Sequence, residues 1–141
     1  MNVHACLEVD ARHEKVLVTF KIENRGERRV WLPRAVAADI HLRACVFDLR
    51  LFPGDAAVDY VGPRREAMPA AAGLTAGLAD YVELAPHSAH THTIDVTRDY
   101  AFAPGEHTYQ IRYAGEVVAD SQHPEVKSAL ATETIMFTHT A

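Results

Sequence analysis

Apolar and polar residues alternate along most of this chain with the period of two that a half-buried strand requires. Val3, Ala5, Leu7 and Val9 alternate with His4, Cys6 and Glu8, and the pattern resumes over Lys15–Asn24 with Val16, Val18, Phe20 and Ile22 on one side. The link Arg12-His13-Glu14 between the two runs is short, which predicts a hairpin. Asn24-Arg25-Gly26-Glu27 breaks the pattern as a turn. Arg28–Leu32 is extended again and ends at Pro33, which cannot donate to a central ladder. Ile40–Phe52 is the longest extended run, and apolar residues on both of its faces predict a central strand. Ala56–Val61 reads as a short strand between the turns Pro53-Gly54-Asp55 and Gly62-Pro63.

The clearest stretch is Tyr81–Tyr113, where the runs Ala89–Val96 and His107–Tyr113 flank a connection carrying Tyr100, Phe102 and the turn pair Pro104-Gly105. His107, Tyr109, Ile111 and Tyr113 share one face of the second run; Thr108, Gln110 and Arg112 share the other. Tyr109 and Phe20 suit a core, and Tyr100, just before a turn, is placed to pin the connection through its hydroxyl. Between the two halves, Arg64–Ala79 is alanine-rich and interrupted by Pro69, Gly73 and Gly77, which suits a crossover loop. Gly115–Val126 reads as turn and irregular connection, and Ala131–Thr140 closes the chain as a strand with Ile135 and Phe137 on one side and Met136 on the other. Seven to nine strands without a strong helix predict an all-β fold, an antiparallel β-sandwich of immunoglobulin-like character, in one domain spanning 1–141.

Composition changes this picture little. The chain has 141 residues, enough for one hydrophobic core, and its 48% hydrophobic content is that of a folded globular protein. A net charge of -5 argues against a nucleic-acid surface, and no apolar run approaches a membrane span. The first residues already alternate like a strand, with neither basic start nor apolar block, so the expectation is a cytoplasmic protein. Two cysteines make no disulfide framework; Cys6 shares a face with His4 and Glu8, and Cys45 with Phe47 and Leu49, so both are expected as free thiols with Cys45 buried.

Several motifs taken together resemble a known family. They are Phe20-Lys21-Ile22-Glu23-Asn24-Arg25-Gly26, Asp59-Tyr60-Val61-Gly62-Pro63, Val82-Glu83-Leu84-Ala85-Pro86-His87-Ser88, Ile94-Asp95-Val96-Thr97-Arg98-Asp99-Tyr100 and Gly105-Glu106-His107-Thr108-Tyr109-Gln110-Ile111-Arg112-Tyr113. In this combination the chain resembles the non-catalytic β-sandwich domain that precedes the protease domain of deuterolysin-like (aspzincin) metalloendopeptidases. His87 stands where that family's turn has glycine, and no His-Glu-x-x-His occurs in the chain. The resemblance therefore implies the sandwich fold and an accessory, propeptide-like role, and it does not carry peptidase chemistry with it.

Candidate chemistry is thin. Nine histidines include His90-Thr91-His92, whose imidazoles share one side of a strand as a two-residue metal clip requires, with His87 just before. No spacing supplies a third ligand, so these histidines are expected on the outer face of an edge strand, with no metal or other cofactor. Ser88, Ser121 and Ser128 lack a nucleophile-elbow context, neither cysteine has a histidine motif near it, and the carboxylate pairs Asp10/Glu14 and Asp95/Asp99 fall at strand ends and turns. The expectation is no enzyme. Trp31 beside Leu32-Pro33-Arg34, and Tyr60 beside Gly62-Pro63-Arg64-Arg65, are instead the aromatic and arginine residues of which interface hot spots are made. Trp31, Arg34, Tyr60, Arg64 and Arg65 are thus the expected contacts of a binding module whose partner is a protein. The resemblance implies a protease as one such partner, in a protease-inhibitory or protease-associated role, while the residues themselves name no partner; the alternative is a metal- or small-ligand-binding domain using His87, His90 and His92.

Overall fold

A computed structural model describes residues 2–12, 14–34, 47–62, 81–119, 122 and 126–141. Among these residues nine strands make two antiparallel sheets: β1 (Val3–Asp10), β2 (Leu17–Asn24), β3 (Val30–Pro33), β4 (Phe47–Phe52), β5 (Tyr81–Leu84), β6 (Ser88–Asp95), β7 (Glu106–Val118), β8 (Lys127–Ala131) and β9 (Ile135–Thr140). The first sheet has the order β1-β2-β6, with the expected β1–β2 hairpin in the register Val3↔Asn24 to Asp10↔Leu17. The second runs β4-β7-β3-β5, and β8 and β9 also pair with β7.

The period-two alternation becomes burial. Val18, Phe20 and Ile22 of β2 turn inward opposite Leu7 and Ala5, while Tyr109, Ile111 and Tyr113 of β7 turn inward from the other sheet. Phe20 and Tyr113 meet edge-to-face across the core at 5.2 Å, the geometry that aromatic quadrupoles favour. The two inner faces thus make one continuous core, and the fold is the expected all-β sandwich.

β7 organises the second sheet because it is long enough to pair twice. Its first half lies between β4 and β9, its second half beside β8, and Val118 pairs with Trp31 of β3. This corrects the irregular reading of Gly115–Val126: β7 continues to Val118, and β8 begins at Lys127. Gly115 is no breaker. A Cβ there would collide with the ring and hydroxyl of Tyr113, so the glycine makes room for a buried tyrosine within a continuous strand.

Two further readings change. Among the described residues, Ala56–Val61 forms isolated bridges, Arg50↔Ala57 and Tyr60↔Tyr100, in place of a strand. β4, expected to be central, takes its ladder from β7, and its other described pairing is the bridge to Ala57. The 40–46 part of that run, Cys45, the 64–79 crossover and most of the tip at 120–124 lie outside the described residues.

Candidate functional site

The interface candidates separate. β3 turns Val30 and Leu32 into the core, so Trp31 and Pro33 stand on the outer face of the second sheet, with Arg34 exposed just beyond. Pairing builds a row across that face: Lys127 of β8, Val118 of β7, Trp31 of β3 and Glu83 of β5. Val118 is fully buried although it stands on the outer face, and Trp31 beside it is half-buried. Nζ of Lys127 lies 5.9 Å from the centre of the Tyr81 ring, and Arg29 is paired with Glu83 at 2.8 Å along the same edge. The result is an aromatic and apolar patch with charges at its margin, the composition of a protein-binding surface. Sequence reasoning missed Tyr81 and Lys127, because only the register across four strands brings them to Trp31.

Tyr60 sits elsewhere and is held differently. Its ring packs edge-to-face on Tyr100 at 5.5 Å, half-buried against the core. Val61 N and Gly62 N both donate to Asp99 O, at 2.8 and 3.2 Å, and Ala101 N donates to Asp59 O at 2.9 Å. A Cβ on Gly62 would meet Asp99 Oδ1 and the Tyr60 hydroxyl below 3.0 Å, which is why the Tyr-x-Gly spacing suits this corner. Tyr100 is the pin expected of it. Its hydroxyl accepts from Phe47 N at 3.2 Å and lies 3.3 Å from Phe47 O, clamping the start of β4 to the β6–β7 connection. Arg64 and Arg65 lie outside the described residues.

The histidines divide too. His90 and His92 pair with Ile22 and Phe20, both core residues, so they point to the inner side of the edge strand β6 and are half-buried. This corrects the outer-face expectation: the outer row of β6 is Ala89, Thr91, Thr93 and Asp95. The two rings stack with centres 6.5 Å apart and planes 18° apart. His87 does not join them. It takes the positive φ of 54° that glycine would adopt freely, and its Nε2 reaches Glu27 Oε1 at 3.2 Å. Among the described residues no group of three or more potential metal ligands occurs.

A further histidine, unremarked in the sequence reading, is the most buried of the described ones. His139 follows Ile135 and Phe137 in the inward phase of β9, which was the available signal, and only 3% of its surface is exposed. Desolvation pushes its pKa down, with Glu14 opposing, so burial favours the neutral imidazole. Other shifts belong to the frame. Burial pushes the Tyr113 hydroxyl up to about 12. At Asp95 partial burial pulls upward, but hydrogen bonds from the Thr97 hydroxyl and amide, with Lys15 and Arg98, prevail and lower the pKa.

No protein-family model matches the chain, and no curated protein matches it. No helix among the described residues is long and apolar enough to cross a membrane.

Proposed function

We propose that this β-sandwich, immunoglobulin-like in character, is a non-catalytic cytoplasmic module that binds a protein partner through the outer face around Trp31. The observation that carries the reading is the row Lys127–Val118–Trp31–Glu83, where a half-buried tryptophan lies on a sheet face beside a buried valine, with Tyr81 and Arg34 near it. A rigid aromatic anchored on paired strands loses little conformational freedom on binding, which is what a hot spot requires. The motif resemblance to the accessory domain of deuterolysin-like peptidases supports a peptidase as the partner and an inhibitory or associative role. No cofactor, nucleic acid or membrane enters this reading.

The test is a pull-down from the source cells with wild-type protein and with Trp31→Ala. Recovery of a peptidase by the wild type and its loss in the variant is expected, because truncating a hot spot costs at least about 2 kcal/mol. Equal recovery by both proteins would refute the proposal.

A second reading, a metal or small-ligand clip at the edge of β6, is favoured by one observation, the near-parallel stacking of His90 and His92. His87, committed to Glu27, takes no part in it. Zinc or copper that raises the melting temperature of the wild type, and fails to do so after His90→Ala with His92→Ala, supports this reading.

A further inference from the structure

At the end of the sandwich opposite the β2–β3 turn lies a cavity of about 470 Å³, within the size range of small-molecule sites. Three connections build it: Glu14 from the β1–β2 link, Thr97, Tyr100 and Phe102 from the β6–β7 link, and His139 with Thr140 from β9. His139 sits edge-to-face on Phe102 at 4.9 Å. Its Nδ1 is enclosed and, among the described residues, is the buried side-chain nitrogen or oxygen that has no hydrogen-bond partner. Nε2 makes no hydrogen bond to a described residue either, yet it is not enclosed, so it is the edge of the ring that meets the cavity.

The tautomer follows from these positions. An enclosed N–H with no acceptor is costlier than an enclosed lone pair, so the proton of the neutral imidazole belongs on Nε2. The cavity then offers a donor from His139 and an acceptor from the Glu14 carboxylate, with the half-buried Phe102 ring as its apolar wall. An anion has no donor for Glu14. A simple cation has no acceptor for His139. A metal ion is disfavoured because Nδ1 lacks the partner that a ligating imidazole takes on its far side. A neutral polyhydroxyl compound satisfies all three walls, since each hydroxyl both donates and accepts and the C–H face of a pyranose lies well on an aromatic ring.

We propose that this end cavity is a binding site for a sugar, with Glu14 and His139 reading its hydroxyls and Phe102 its apolar face.

The experiment is a nuclear magnetic resonance titration of the full chain with methyl glycosides of glucose, mannose and galactose, with ethylammonium and acetate as controls. Backbone amides and the long-range ring correlations of histidine are the readouts. At least one glycoside is expected to shift the His139 Nε2 signal and the Thr97–Phe102 amides saturably, while both controls leave them in place. Glu14→Gln, which trades a charged acceptor for a neutral one, and His139→Phe, which removes the ring donor, should each weaken binding about tenfold. Glu14 lies on an exposed turn, so that variant keeps the test valid even if His139→Phe fails to fold. A disaccharide that binds more tightly than the monosaccharide assigns the site to a glycan chain; equal affinity assigns it to a free sugar. Silence of the whole glycoside panel, a response to ethylammonium or acetate at these signals, or undiminished binding by Glu14→Gln would overturn the proposal.

Discussion

Asn24 shows how much one side chain holds in this fold. It is almost fully buried at the end of β2, and its Nδ2 donates to Arg28 O at 2.8 Å and to Ala85 O and Leu84 O at 3.2 and 3.3 Å, while Oδ1 accepts from Gly26 N at 3.0 Å. One residue thus closes the β2–β3 turn and ties it to the end of β5. Asn24→Ala removes the side-chain donor from Arg28 O and Leu84 O, while Ala85 O keeps the Ser88 hydroxyl, and should cost about 2–4 kcal/mol, read as a lowered urea midpoint at unchanged slope. The sequence marked Asn24 as the start of a turn; its bonds to residues 84 and 85 depend on a contact across 60 positions that no local pattern encodes. His139 sets a second residue-scale expectation. Its folded pKa lies below the ordinary histidine value of 6.5, so the unfolded chain takes up a proton first as pH falls. Stability present above pH 6.5 is therefore lost as pH drops through 6.5 toward the folded value, with Glu14 and the opposing His107 as the nearby titrating groups. The melting temperature should fall between pH 7.5 and pH 5, and His139→Phe should flatten that fall. Asp95, also lowered, acts in a separate window below the ordinary aspartate value of 3.8, where stability is lost as its carboxylate is protonated.

At the scale of elements, β1, β2, the first half of β7 and β9 were legible because apolar residues recur on one face of each and that face is buried. The misreadings have a common cause, which is that small residues carry no face. Gly115 and the alanines at 114, 129 and 131 gave no periodic signal, so the second half of β7 and its partner β8 read as irregular. The structure gives Gly115 a packing role under Tyr113, and this can be tested. Gly115→Ala puts a methyl where the buried ring lies, and should cost about 1–3 kcal/mol as overpacking. Combining it with Tyr113→Leu, which vacates the space, should cost less than the sum of the two changes in denaturant unfolding. Additive losses would place the strain in the backbone of β7 and not in the ring. The inward placement of His90 and His92 was misjudged for a related reason: histidine is polar in any pattern, and only the register against Phe20 and Ile22 shows which way β6 turns it.

For the whole molecule, the two aromatic candidates chosen together from the sequence fall into different mechanical roles, and the difference decides how any binding experiment is read. Trp31 projects from the outer face of the second sheet and is absent from the core cluster. Tyr60 packs onto that cluster through Tyr100, whose hydroxyl clamps β4. In the sequence each was simply an aromatic beside a proline-containing turn, and nothing local separated them. Tyr60→Ala should lower stability by about 2–4 kcal/mol, as a large-to-small change against the core does. Any loss of partner in that variant would then come with a depressed melting temperature. Trp31→Ala should behave the other way, with a change in stability of about 1 kcal/mol or less, as for a partly exposed site, and a loss of partner affinity of about 30-fold or more, the equivalent of a 2 kcal/mol hot spot. The deciding measurement pairs thermal melting with binding for both variants at a temperature where both are folded. If Tyr60→Ala remains folded there and loses the partner while Trp31→Ala keeps it, the binding surface is the loop end at Tyr60 and not the face at Trp31.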